Sequence, residues 1–170
     1  PIYDETSETG FAGAGNGTDC GNPVAESYLN WNSSEATVIN GNVWATYEFI
    51  PGLKYKFNMG VDMYRYMEQG YIADYTIHYE THSPDEYNMK SERRNRFLYE
   101  NTLSYDKVFG KHNLSALIGV TSEETKFLAH NGGARAMPSP NILILGSTQK
   151  NDSKVVGSDI ARSSMFSLLG

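Results

Sequence analysis

Two histidines are the first residues in the chain whose types and spacing could bind a metal. His78 and His82 stand four residues apart in HYETH, but Glu80 falls one place too late for the helical H-E-x-x-H zinc motif. On an extended strand the same two histidines would share a face about 13 Å apart. We therefore predict no metal site.

The sequence also carries no recognisable catalytic arrangement. The glycine-rich stretch GAGNG, residues 13–17, lacks the Lys-Ser/Thr pair and the preceding strand of a phosphate-binding loop. Nothing around the serines marks a nucleophile elbow. The single Cys20 provides neither a disulfide framework nor a zinc cluster. We predict no enzyme activity, no catalytic residues and no cofactor.

Aromatic side chains are the best candidates for ligand contact. Sugars and peptides bind to aromatic faces together with amide and carboxylate groups, and binding residues concentrate in loops. The alternative is that these rings only pack where long strands continue beyond a membrane. The predicted substrate-binding residues are Trp31, Trp44, Tyr71, Tyr75 and Tyr79.

The composition limits the classes of protein to which the chain can belong. A formal net charge of -6 over 170 residues is opposite in sign to a nucleic-acid surface, so we expect no nucleic-acid partner. No apolar run is long enough for a transmembrane helix, and PIYDETSETG lacks the basic start and apolar stretch of a signal peptide. A β-barrel remains open, because alternation hides its apolar residues within a polar average.

A two-residue alternation runs through the segment GLKYKFNMGVDMY, residues 52–64. Lys54, Asn58 and Asp62 fall on the polar face. A similar alternation in residues 37–49 ends at Pro51-Gly52, which predicts a tight hairpin over residues 37–66. We expect the polar face to line a wet lumen and the other face to contact lipid. The apolar face comprises Leu53, Tyr55, Phe57, Met59, Val61 and Met63.

The rest of the chain repeats this pattern. A second hairpin turns at residues 107–111, and a further strand begins near residue 161. Connections at 1–33, 67–90 and 128–157 are long, so short turns fall at one end and long loops at the other. Within 67–90 we expect strand extensions that flank a loop near Ser83-Pro84. This asymmetry predicts an all-β fold, an antiparallel up-and-down transmembrane β-barrel segment of about five strands, with long extracellular loops and short periplasmic turns.

Aromatic residues cluster beside both short turns. They are Tyr47, Phe49, Tyr55, Phe57, Tyr105 and Phe109. A membrane barrel has an aromatic girdle at this level, although aromatic residues also favour strands in general. The alternative fold is a soluble all-β carbohydrate-binding module, which would join its apolar faces in a core between two sheets.

Four segments resemble one known family: NPVAESYLN, VINGNVWATYEFIPGLKYKFNMGVD, RFLYENTLSYDKVFGKHNLSALIGVTSEE and ARSSMFSLLG. Together they are similar to the mid-barrel region of SusC-type (RagA-type) TonB-dependent transporters of Bacteroidetes, over most of residues 22–170. The resemblance implies a plugged barrel of about 22 strands in the outer membrane of a Gram-negative bacterium.

The same resemblance implies a function and partners. Transporters of this family import glycans or peptides beneath a SusD-type surface lipoprotein, and TonB supplies the energy. Residues 1–170 would then be a partial barrel domain in contact with outer-membrane lipid, without the plug domain and the remaining strands. The segment by itself is not expected to transport a substrate.

Overall fold

The computed structural model describes residues 2–13, 21–77, 80–148 and 154–170. Most of them lie in long strands. Five strands form one antiparallel sheet in the order β1-β2-β5-β6-β7, and β3 pairs with β4 in a separate small hairpin. The prediction of an all-β, up-and-down fold of five strands is therefore confirmed. The elements are α1 (Pro23–Leu29), β1 (Asn30–Ile50), β2 (Leu53–Ile72), β3 (Tyr75–Ile77), β4 (Glu80–His82), β5 (Glu86–Phe109), β6 (His112–Arg135) and β7 (Lys154–Leu169).

Both predicted short turns are present. Gly52 has a φ of 91° and Gly110 a φ of 60°, values that favour glycine over residues with a side chain. Gly52 also lies against β5, where its carbonyl oxygen accepts a hydrogen bond of 2.8 Å from the amide of Asp106. A Cβ at position 52 would lie only 2.1 Å from the carbonyl oxygen of Asp106. Gly52 is thus required by both its backbone conformation and the close approach of β5.

The predicted long loops are shorter than expected. Strands β5 and β6 each contain 24 residues, so each extends about 80 Å if fully regular. The strands continue into parts of 67–90, as expected for strand extensions flanking a loop near Ser83-Pro84. They also continue into parts of 128–157, where the predicted loop boundary was wrong. Gly, Asn and charged residues suggested loops, but here they pair with neighbouring strands.

A helix also interrupts the predicted loop at residues 1–33. Asn22 caps α1, because its side-chain oxygen accepts from the amides of Val24 at 3.1 Å and Ala25 at 3.3 Å. Pro23 follows at the first helical position, where its missing N–H costs nothing. Among the described residues, no helix is long and apolar enough to cross a membrane.

The chain divides into two compact units. The loop unit comprises Pro1–Glu35, Met67–Ser91 and His130–Ser158, and the strand unit comprises Ala36–Tyr66, Glu92–Ala129 and Asp159–Gly170. The loop unit contains two apolar clusters. The first comprises Tyr71, Tyr87, Ala134 and Met137, and the second comprises Ala25, Tyr75 and Ile77.

The strand unit has two chemically distinct faces. On one face Asn58 donates to Glu100 at 2.7 Å, and Arg96 donates to Glu123 at 2.7 Å. On the other face Tyr55 donates to Asn101 at 2.5 Å. The first face carries most of the polar side chains, so the alternation in the sequence corresponds to two faces of one sheet.

Candidate ligand-binding groove

An open groove of about 1020 Å³ runs across four strands of the loop unit. Its walls come from the ends of β1, β2, β5 and β6 that lie farthest from the short turns. Four asparagines, four charged residues and three glycines contribute to the lining. They are Asn30, Asn32, Asn88 and Asn131; Glu68, Glu86, Lys90 and Arg135; and Gly70, Gly132 and Gly133.

Asparagine side chains lie over glycines of the neighbouring strand. A Cβ at Gly133 would be 2.6 Å from Oδ1 of Asn88, and a Cβ at Gly157 would be 2.6 Å from Oδ1 of Asn131. Any larger residue at either glycine would push the amide away. The glycines therefore let the exposed Asn88 and Asn131 amides lie across the sheet, where each can still donate and accept hydrogen bonds.

Charges of both signs line the same groove. Arg135 and Glu86 form an ion pair of 2.5 Å across β5 and β6. Asn32 donates to Glu68 at 3.3 Å on the other side. Two carboxylates are matched by Lys90 and Arg135, so the lining is neutral overall. Such a surface suits a polar ligand with both donors and acceptors better than a simple ion.

Of the two predicted tryptophans, only Trp31 reaches this groove. Trp31 is among the lining residues and is 41% exposed, but it has the opposite parity of β1 to Asn30 and Asn32, whose side chains face the groove. Trp44 belongs to the strand unit, is 63% exposed and lies on the polar parity of β1. The two side chains therefore belong to different units.

Tyr71 lines the groove but is only 7% exposed. Its hydroxyl donates to Oδ2 of Asp85 at 3.0 Å, and Oδ1 of Asp85 accepts the amide of Met137 at 2.9 Å. Burial, together with the hydrogen bond to Asp85, raises the pKa of Tyr71 to about 12. The ring thus holds the segment after β6 and offers little surface to a ligand.

Tyr75 is also buried, in the cluster with Ala25 and Ile77. Burial raises its pKa above the usual tyrosine value. Its ring centroid is 6.0 Å from that of His82. The predicted site residue Tyr79, and His78 of the HYETH stretch, lie outside the described residues. Within the described ranges, no group of three or more metal-ligating side chains is assembled.

The asparagines of the groove were missed in the sequence because they lie in stretches assigned to loops. Two-residue spacing was nevertheless present in Glu86, Asn88 and Lys90, and again in Asn131, Gly133 and Arg135. Both triplets alternate with apolar or small residues, as expected for a strand with one polar face. Extending the alternation past the apolar segments would have located this lining.

Comparison with known proteins gives a consistent result. No family model matches the chain. TonB-dependent receptor P3 of Formosa agariphila is 31% identical over 120 residues, which is 71% of this chain and 12% of that receptor. The chain therefore spans about an eighth of its curated relative.

Solved structures with the same fold include the RagAB peptide transporter, with a TM-score of 0.78 and 21% identity. The alignment covers 87% of this chain and 16% of that one. The RagAB peptide importer in its 'closed-closed' and 'open-open' states gives TM-scores of 0.77 at the same identity and coverage. At this identity the likeness establishes the fold, an antiparallel barrel-like segment.

Proposed function

Because the chain belongs to the TonB-dependent receptors, we propose that it forms part of the barrel wall of a SusC-type outer-membrane importer. Residues 1–170 would be a partial barrel domain, completed by other strands and a plug. The importer would take up glycans or peptides in a Gram-negative bacterium of the Bacteroidetes. Its relatives are named as receptors and importers, and we assign the chain no catalytic role.

The open apolar face of the strand unit is the observation that carries this proposal. Among the buried apolar side chains of the described residues, Ala129 alone belongs to this unit. Large residues such as Val43, Ile118 and Phe166 remain exposed. Large apolar side chains exposed on one face of a sheet are typical of a surface that contacts a non-aqueous neighbour. Lipid is the neighbour that a barrel wall has.

The same observation counts against a soluble carbohydrate-binding module. Such a module would bury its apolar faces between two sheets about 10 Å apart. In the strand unit the described strands form one sheet layer, and neither face is covered by a second. The apolar clusters of the chain lie in the loop unit.

The groove supports a substrate that is an extended polar chain. Three strand spacings separate β1 from β6, so the groove floor is about 14 Å wide, enough for about four residues of an extended peptide. The Asn88 and Asn131 amides can bind either peptide groups or sugar hydroxyls. A glycan or peptide segment therefore fits the lining.

The partners follow from the family. A SusD-type surface lipoprotein would cover the loop end of the barrel, and TonB would act through parts of the protein outside these residues. The turns at residues 51–52 and 107–111 would face the periplasm, and the connections at 67–90 and 128–157 would face the cell exterior. In this orientation the groove would lie where an incoming substrate first meets the barrel.

Spin labels in the intact transporter test the membrane assignment. Labels at Phe57 and Met59 should be quenched by oxygen dissolved in lipid, whereas labels at Asn58 and Asp62 should be quenched by an aqueous nickel complex. The inverse pattern would place the polar face in lipid and overturn the proposal. Aqueous quenching at all four sites would instead favour the soluble module.

Asparagine substitutions in the intact transporter test the groove. Asn88→Ala should weaken binding of groove-length oligopeptides or oligosaccharides about 5- to 30-fold, the equivalent of one or two lost hydrogen bonds. Asn95→Ala is the matched control, because Asn95 lies on the same strand and on the opposite parity. Equal affinity of both variants for every probe would remove the groove from the substrate path.

A further inference from the structure

The face of the strand unit opposite its polar face carries basic side chains at one level. Arg94 of β5 lies 5.4 Å over the ring of Tyr64 of β2 on the polar face. Because the strands are antiparallel, Arg93, just before Arg94, and Arg65, just after Tyr64, lie beside each other on the other face. Both are exposed. Two adjacent strands, β2 and β5, therefore each place an arginine at the same height.

The same reasoning extends the level across β6 and β7. Arg96 of β5 pairs with Glu123 of β6 on the polar face. Arg93 lies three residues before Arg96, and Lys126 lies three residues after Glu123. Moving back along β5 and forward along β6 leads toward the same end of the sheet, so these two cations share a face and are diagonal neighbours, about two residues apart in height. Lys126 contacts Glu124 at 3.4 Å, and Arg162 of β7 contacts that carboxylate as well. We name these residues the cation row: Arg65, Arg93, Lys126 and Arg162.

The cation row lies at the border of the apolar band, the stretch of the lipid-facing side of β2 from Leu53 to Met63. On β2 the six residues from Leu53 to Met63 that share the parity of Arg65 are uncharged, and Arg65 is the next position. Ten residues of strand cover about 33 Å, or about 25 Å along the membrane normal at a tilt of about 40°. This height matches the lipid-facing band of outer-membrane barrels, so Arg65 falls where hydrocarbon gives way to headgroups.

The charge on this face differs from that of the whole chain. The chain has a formal charge of -6, yet the face carries more cations than carboxylates in β2, β5, β6 and β7 of the strand unit. They are Arg65, Arg93, Lys107, Lys126 and Arg162, against Glu124 alone. Glu124 binds Lys126 and Arg162, which holds those two side chains near each other and still leaves an excess of positive charge.

We propose that the cation row binds the phosphate groups of a phosphorylated lipid in the outer leaflet. Arginine presents a planar set of donors that suits phosphate, and two of them stand side by side on β2 and β5. The occupant is a lipid, because the row continues directly from the apolar band that its acyl chains would cover. The inference rests on the proposed function, since it requires this face to contact lipid.

Native mass spectrometry of the intact transporter tests the inference. The probes are a diglucosamine-based lipid A carrying two phosphates and the same lipid after phosphate removal. The wild-type protein should retain the phosphorylated form preferentially. Each cation removed should weaken retention about fivefold, so Arg65→Gln combined with Arg93→Gln should lower it about 25- to 30-fold. Retention of the dephosphorylated lipid should not change.

Matched variants separate charge from folding. Lys54→Gln combined with Lys56→Gln removes the same charge from the polar face of β2 and should leave lipid retention unchanged. Arg93→Lys keeps the charge and should retain most of the binding, and heat-modified gel mobility shows whether each barrel has folded. If the Arg65→Gln/Arg93→Gln variant and the Lys54→Gln/Lys56→Gln variant lose the phosphorylated lipid equally, the cation row is not its site.

The remaining outcomes are also decisive. Equal retention of both lipids by the wild-type protein would overturn the inference, even when the spin labels at Phe57 and Met59 lie in lipid. Competition by inorganic phosphate alone would indicate a free-anion site, and competition by an acidic polysaccharide without lipid would indicate a docking surface for that polymer. Either result would overturn the lipid assignment. Aqueous quenching of the apolar band would overturn the proposed function itself.

Discussion

Replacing Asp85 with alanine should release the chain segment that follows β6. Asp85 is 8% exposed and accepts hydrogen bonds from the Tyr71 hydroxyl and the Met137 amide, both of them buried. Each donor left without a partner costs about 1–3 kcal/mol, so the substitution should destabilise this cluster by about 2–6 kcal/mol. The backbone bond from the Ala136 amide to the Asp85 carbonyl remains available and limits the loss.

Hydrogen exchange in the intact transporter measures this effect directly. Amides in residues 137–148 should lose at least about 30-fold of their protection in Asp85→Ala, because 1.4 kcal/mol corresponds to a factor of ten. Adding Tyr71→Phe to Asp85→Ala should restore about 1–3 kcal/mol, since it removes one of the two stranded donors. Asp74→Ala is the control: Asp74 is exposed and bonded by Ser83 at 3.0 Å.

Three results would refute this reasoning. A change of less than twofold in exchange for Asp85→Ala would show that the carboxylate does not hold the segment. A double variant less protected than Asp85→Ala would show that Tyr71 stabilises the cluster by packing rather than through its hydroxyl. An effect of Asp74→Ala as large as that of Asp85→Ala would point to a general change in charge.

The remaining predictions concern pH, the first turn and the lipid face. The folded pKa of Tyr71, raised to about 12 from about 10, makes its contribution to stability complete below pH 10 and lost as pH rises through 12. Ultraviolet titration of tyrosinate should show a late step that is smaller by one tyrosine in Tyr71→Phe than in the wild-type protein. Gly52→Ala should destabilise the barrel by about 2 kcal/mol or more in thermal unfolding, because residue 52 has a positive φ and its Cβ would clash with β5. Gly41→Ala is the control and should be tolerated, since a Cβ there meets no atom within 4 Å. Equal unfolding temperatures of the two variants would contradict this. Met59→Lys should lower the free energy of unfolding by about 2–4 kcal/mol if residue 59 lies near the bilayer midplane. Asn58→Lys should lower it much less, because the new cation lies beside Glu100 on the polar face. Equal losses would mean that lipid does not distinguish the two faces.

The sequence by itself determined the features that depend on neighbouring residues. The alternation from Leu53 to Met63 defines two faces, because successive side chains of a strand must point in opposite directions. The Pro51-Gly52 turn followed from local backbone preference, since Gly52 adopts a positive φ at little steric cost. Both features were predicted correctly without knowledge of any partner strand.

Only the tertiary structure decided where the long strands end and which side chains form the groove. Asn88 and Asn131 look like loop residues in sequence, yet each lies over a glycine of an adjacent strand. Tyr71 and Tyr75 look like exposed loop aromatics, yet they are buried in the two apolar clusters of the loop unit. The physical reason is that strand pairing and burial depend on residues distant in the chain. A polar segment stays extended only when another strand completes its hydrogen bonds, and local composition does not contain that partner.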